Sequence, residues 1–356
     1  MVAIPKLMKA VLLKGHGGFD QLEYREDVPV PELDPGEVLI RVGAAGVNNT
    51  DINTRTGWYS KAVTEGTTAE RAQSGYTGTK AEDNAWTASA LKFPRIQGAD
   101  ACGQIVAVGS GVDQARIGER ILVDPVLRDR IGYFGADCDG AFAEYTKVAS
   151  IQIHRIKSPL SDAELASFPC SYSTAENLLT RSNVQRRDRV LITGASGGVG
   201  SAVVQLAKRR GAKVVALVGK EKAEQLKALG ADEILPRDSD IVSSLGTGAV
   251  DVVIDVVGGT AWPKLLEVLR RGGRYAASGA IAGPIVPLDL RTLYLKDLTL
   301  FGCTFVERKV FSNLVTYIEQ GDVKPLVAKT FSLKEIVRAQ EEFLGKQFVG
   351  KLVLIP

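Results

Sequence analysis

Histidine and cysteine are both scarce in this chain of 356 residues, which has two histidines, His16 and His154, and four cysteines, Cys102, Cys138, Cys170 and Cys303. The cysteines form no C-x-x-C pair, so no local set of four ligands for a structural zinc is offered. Their dispersion also argues against a disulfide framework and for reduced thiols in an intracellular protein. Long hydrophobic runs are missing too: nowhere do about 18 apolar residues follow one another, which excludes a membrane-spanning helix. The opening MVAIPKLMKAVLLKG is broken by Lys and Pro and is no signal h-region. A cytoplasmic protein is therefore expected. Charge of one sign is lacking as well. Lys plus Arg number 44 against 41 Asp plus Glu, and the net charge of +3 makes no field that attracts nucleic acid or an anionic membrane. The basic run KRRGAK at 208–213 is read as cations at a helix C-terminus.

What is present is a globular balance, 45% hydrophobic and 24% charged, in a chain long enough to prefer two domains. The first part reads as an all-β unit, because MKAVLLKG, LEYREDVPVPEL, GEVLIRVGAAGVN, QGADACGQIVAVG, RILVD and GAFAEYTKV are short β-rich runs parted by Gly, Pro and Asp. Between 60 and 91 the chain is rich in Ala, Gly, Ser and Thr, and a surface excursion is expected. It starts directly after Tyr59, so a cover over a substrate mouth and a plain insertion or subunit contact are the two readings. From Leu160 the period changes. LSDAELASFPCSYSTAENLL reads as helical turns, with Ser161 and Glu164 at the spacing of a capping box. Strands and helices then alternate through RVLIT, SAVVQLAKRRGA, KVVALVG, EKAEQLKALGA, EIL, VDVVIDVVGG, TAWPKLLEVLRRGG, RYAASG and LTLFGCTF. That alternation predicts a parallel sheet covered on both faces. The tail does not continue it and is expected to return to the first domain.

The strongest motif is VLITGASGGVGSAVVQLA at 190–207: an apolar strand, a glycine-rich turn Ala195, Ser196, Gly197, Gly198, Val199, Gly200, and a helix expected from about Ser201. This is the dinucleotide fingerprint with Ala in place of its first Gly. Gly197 lets backbone approach a pyrophosphate, Gly200 allows close helix–sheet packing, and the helix N-terminus favours phosphate. The next strand carries no acid at its end. It runs into Gly219, Lys220 and Lys222, and two lysines there suit the 2′-phosphate of NADP, with Arg237 as a further candidate. The other reading puts the lysines in solvent and Glu221 on the ribose.

These residues, together with GEVLIRVGAAGVNNTD, RTGWY, AVGSGV, FAEY, DVVIDVVGG and GKLVLIP, resemble the medium-chain dehydrogenase/reductases over almost the whole chain. Within that superfamily the likeness is to the zinc-free quinone oxidoreductase branch. The resemblance implies an α/β protein with a GroES-like β-barrel catalytic domain, 1–160 with 305–356, and a Rossmann doubly wound parallel-sheet domain, 161–304. It also implies a substrate cleft between them. Where zinc-dependent members place metal ligands, this chain has Asn48, Ala99 and Cys170, and the Glu that follows the His is Asp100; no metal is expected, and Cys170 is read as a buried apolar residue. In their place the resemblance puts Asn48 and Tyr59 in the catalytic cleft as donors to a substrate oxygen, with Thr50 at a proton-relay position. Asp51 and Arg55 also match the pattern. Further cofactor contacts implied by matching positions are Thr174, Val257, Gly258, Ser278, Gly279, Ala280, Gly302, Cys303 and Thr304. The function implied is NADPH-dependent hydride transfer to a quinone, an enone or a related activated carbonyl compound, in a homodimer or homotetramer. A zinc-free alcohol or aldehyde reductase, and an NADPH-binding protein without turnover, are the alternatives.

Overall fold

The computed structural model describes residues 3–79 and 90–356. The part of the expected excursion at 80–89 lies outside the described residues. Six strands form one parallel sheet in the order Glu233–Pro236, Lys213–Val218, Arg189–Ile192, Val250–Asp255, Leu269–Ala277, Thr299–Gly302. Along these Val- and Ile-rich strands successive side chains enter two different cores. Val190, Ile192, Val214, Ala216 and Ile254 belong to one cluster, whereas Leu191, Val215, Leu217 and Val253 belong to the other. Both faces are thus buried, as continuous apolar strands require. Chain order reverses beside Arg189–Ile192, since the second strand lies on one side of it and the fourth on the other. The carboxyl ends of the strands at such a reversal are the usual ligand crevice of parallel sheets.

The remaining strands are mostly antiparallel. Glu37–Gly46 pairs with Cys102–Val108, Tyr145–Ala149 and Lys351–Ile355 within a seven-stranded sheet, and Leu22–Pro29, Leu7–Leu13 and Arg95–Ile96 form a three-stranded one. Val38, Ile40, Val42, Ile105, Ile121, Phe142 and Leu354 fill the core between them. The last strand, Lys351–Ile355, therefore carries the chain end back to the seven-stranded sheet of the N-terminal part. The helix Arg308–Gln320 before it buries Phe311, Leu314 and Ile318 in the cluster that holds Val190 and Ile192 of the parallel sheet.

Three local expectations are corrected. The glycine-turn helix starts at Gly198, not Ser201, because Gly197 in extended backbone caps it and Gly198 and Gly200 enter its first turn. The helix expected over 260–273 ends at Glu267, and a strand begins at Leu269. Gly272 at φ +70°, and Gly273, whose Cβ would stand 2.7 Å from Arg270 O, suit an irregular strand better than a helix. The excursion is not all surface: Ala69–Ser74 is helical, and Val63, Ala72 and Tyr76 are buried. The fully buried Arg55 draws it in, its guanidinium donating to Ala72 O and Gly17 O. Ser161 and Glu164 do form a capping box, at the start of the short helix Asp162–Leu165.

Candidate active site

The glycine turn shows which of its glycines the protein itself demands. A Cβ on Gly200 would stand 2.2 Å from Gly194 O and 2.7 Å from Ala195 Cα, and one on Gly198 would meet Ser171 Oγ at 2.6 Å. Gly197 is different: it is exposed, and its Cβ would have only an ordinary contact, 3.5 Å to Gly194 O. Nothing in the chain forbids a side chain there, so the open space above Gly197 fits a phosphate cradle. The first N–H groups of the helix Gly198–Arg209, which have no intrahelical acceptors, complete it.

A second turn meets this crevice. The fully buried Asp255 accepts from Thr193 Oγ1 at 2.5 Å, Tyr275 OH at 2.6 Å, Val257 N at 2.8 Å and Gly258 N at 3.1 Å. These bonds fix Val257 and Gly258, the latter at φ +63°. The loop after Leu269–Ala277 returns to them through Ala282 N–H on Val257 O at 2.8 Å, which brings Ser278, Gly279 and Ala280 to the same place. Thr174 is half-buried on the helix Pro169–Arg181. Cys303 is buried, its N–H on Ala277 O at 2.9 Å, between exposed Gly302 and Thr304.

At the far end of the crevice, Lys220 and Arg237 are exposed beyond Gly219. Lys222 is placed otherwise than a free phosphate ligand: only 7% of it is exposed, and its ammonium donates to Lys346 O. The Glu221 carboxylate folds back over Gly219, where a Cβ would come within 2.3 Å of it.

Asn48, Asp100 and the N–H of Cys170 gather around a buried ion pair that sequence reasoning missed. Lys351 Nζ lies 2.7 Å from Asp100 Oδ2 and 2.5 Å from Asn48 Oδ1, with both charged side chains nearly without exposure. Asn48 Nδ2 donates to the same Asp100 oxygen at 2.8 Å and to Gly46 O at 3.3 Å, so both amide hydrogens are engaged. Asp100 Oδ1 accepts from Cys170 N–H. Asn48 thus sits at the start of the helix Asn49–Thr56 as a member of a polar lock. Tyr59 OH donates to Thr50 Oγ1 at 3.1 Å, and Tyr133 OH donates to Cys170 Sγ at 3.1 Å. Burial pushes the Tyr59 phenol up to about 12 and the Tyr133 phenol well above its ordinary value, so both stay protonated donors at neutral pH. Burial likewise pushes the Cys170 thiol up to about 12, with Asp100 adding to it. Among the described residues no three His, Cys, Asp or Glu side chains converge as a metal site.

Asp51 accepts from Asn48 N–H at 2.7 Å. Burial nevertheless pushes its carboxyl up to about 7, against the pull of that bond and of Lys351. Between the ordinary carboxylate value and 7, the folded chain keeps a proton that the unfolded chain has released. This contribution to stability is whole below about pH 4 and falls away as pH rises to about 7. Asp51→Asn should remove most of that fall in urea midpoints measured from pH 4 to pH 8.

Two family models match the chain: "Alcohol dehydrogenase GroES-like domain" over residues 34–158 and "Zinc-binding dehydrogenase" over residues 198–320. A solved structure of an alcohol dehydrogenase-like protein from Sinorhizobium meliloti 1021 is 44% identical, with a TM-score of 0.89 over 100% of this chain and 98% of that one. The chain belongs to the medium-chain dehydrogenase/reductase superfamily. Like others of this superfamily it joins a GroES-like domain to a Rossmann-type parallel sheet, and it is an oxidoreductase of the nicotinamide-dependent kind. Acryloyl-coenzyme A reductase of Metallosphaera sedula is 28% identical over 98% of this chain and 99% of its own length. NADPH-dependent alkenal/one oxidoreductase, chloroplastic, of Arabidopsis thaliana is also 28% identical, over 99% of this chain and 81% of its own. Among the described residues no helix is long and apolar enough to cross a membrane.

Proposed function

We propose that this medium-chain reductase uses NADPH to reduce enones, alkenals and related activated carbonyl compounds without a metal. One observation carries the reading: Asp100, beside the place where zinc-dependent members hold their metal, is already neutralised by Lys351 and bonded by Asn48. Two of the three ligand positions hold no ligand, since Ala99 has no donor atom and the amide of Asn48 is bonded to Lys351, Asp100 and Gly46. The names of the relatives support the substrate class, since one is named for acryloyl-coenzyme A and another for alkenals and alkenones.

The residues divide the work. Gly197, Gly198 and Gly200, with the helix start behind them, hold a diphosphate; Val257, Gly258 and the 278–280 loop hold the ring end. When bound, the reduced dinucleotide supplies a hydride to the substrate. Negative charge then grows on the substrate oxygen, and the phenols of Tyr59 and Tyr133 stabilise it, each turning its one hydrogen from Thr50 Oγ1 or Cys170 Sγ to that oxygen. Thr50 orients the first of these, and the lock of Asn48, Asp100 and Lys351 keeps the pocket floor rigid. Losing one such donor typically costs about 100-fold in rate. Tyr59→Phe should lower kcat by about that factor in NADPH-oxidation assays, with an unchanged dissociation constant for NADPH.

Lys220 and Arg237 favour the 2′-phosphate. A preference for NADH is the second reading, supported by the Glu221 carboxylate lying over Gly219, where it would meet a ribose 2′-hydroxyl. Titration of both cofactors, followed by oxidation of the better one over a panel of enones, alkenals, quinones and aldehydes, tests the proposal. Tighter NADPH binding and the highest kcat/KM on enones and alkenals are expected. Tighter NADH binding, or turnover confined to simple aldehydes, contradicts it.

A further inference from the structure

The segment that follows Tyr59 and the loop that follows the strand Leu269–Ala277 belong to opposite sides of the cleft, yet backbone joins them. Thr67 N–H donates to Ile281 O at 2.8 Å. Gly66 beside it is so close that a Cβ would stand 2.6 Å from Ile281 O and 2.8 Å from Ala282 C. The segment itself is anchored from below. Tyr76 OH donates to Gly66 O at 2.7 Å, Thr67 Oγ1 to Asn53 Oδ1 at 3.2 Å, and Trp58 Nε1 to Glu65 O at 3.0 Å.

The decisive feature is a single peptide plane. Ile281 C=O and Ala282 N–H are the two ends of one planar unit. The first accepts from Thr67, on the GroES-like side, and the second donates to Val257 O at 2.8 Å, in the turn that Asp255 shapes. Neither bond can move without turning the plane and straining the other. The loop 278–283 is therefore gripped from both sides of the cleft, and only a residue without a side chain at 66 allows that approach.

We propose that the Gly66–Thr67 corner is a positioning element that clamps the 278–283 loop onto the nicotinamide end of the dinucleotide, so that one peptide plane ties the ring's seat to the substrate side of the cleft. This rests on the reading that Ser278, Gly279 and Ala280 meet the nicotinamide, as given above. The clamp acts on the ring end alone. The adenosine end lies by Gly219, Lys220 and Arg237, at the other side of the crevice.

That separation supplies the test. The dissociation constants of NADPH and of adenosine 2′,5′-bisphosphate, which has no nicotinamide, are measured on the full chain and on its Gly66→Val variant. Gly66→Val should weaken NADPH about fivefold to tenfold, the worth of one lost backbone hydrogen bond with some strain. It should leave the bisphosphate unchanged and raise the KM for NADPH more than it lowers kcat. Amide exchange at Thr67 should be slow in the NADPH-saturated wild type and fast in the variant. If both ligands weaken alike, or neither does, the clamp is overturned while the site reading stands. If the wild type binds neither ligand, both fall together.

Discussion

Lys351→Met is expected to destabilise the fold by about 3–5 kcal/mol, because it leaves the fully buried Asp100 carboxylate without its cation. Methionine keeps the stem that packs beside Gly198 but offers nothing to Asp100 Oδ2 or Asn48 Oδ1. Adding Asp100→Asn should restore most of the loss, since a neutral amide no longer requires the ammonium. Urea unfolding of the two single variants and the double variant gives the coupling between the sites. A single variant within about 1 kcal/mol of the wild type would show that the pair does not carry the pocket's charge balance.

Gly200→Val should abolish measurable cofactor binding and cost stability at the upper end of the roughly 1–3 kcal/mol typical of overpacking. The added atoms meet Gly194 O and Ala195 Cα, which are backbone of the same turn and cannot swing aside as a side chain does. The turn must open, and the phosphate cradle opens with it. Gly197→Ala is the informative companion. Its Cβ has room in the protein, so stability should hold while the diphosphate, approaching over that residue, is repelled. Thermal unfolding and NADPH titration of the two variants separate packing from binding.

What was legible in the sequence is what is local. The glycine turn, the alternation of strands and helices, and the capping box at Ser161 are each written within a few consecutive residues, so propensity and pattern reach them. The start of the glycine-turn helix was misplaced by three residues because glycines are poor helix formers, and only the close approach of Gly200 to Gly194 shows why they are there. Lys351 was not legible. It stands in GKLVLIP like any strand lysine, and its partner is 251 residues away in the chain. Tyr133 was missed for a related reason, since its partner Cys170 lies on another element and no spacing links them. A signal for the lysine does exist: a lysine within a terminal apolar strand asks for an acid to pair with. Asp255 closes DVVID just before the turn it shapes, and an acid at the end of an otherwise apolar strand is a comparable sign. The excursion was misjudged because its burial depends on Arg55, whose guanidinium reaches both Gly17 and Ala72.

If the phenols of Tyr59 and Tyr133, set above the lock of Asn48, Asp100 and Lys351, stabilise the substrate oxygen as proposed, turnover needs no metal ion. Turnover of an enone with NADPH, measured on protein dialysed against a strong chelator and shown by elemental analysis to be metal-free, tests this most directly. Undiminished kcat, with no gain on adding zinc, is the predicted result. Activity lost on dialysis and regained with one equivalent of zinc would contradict it.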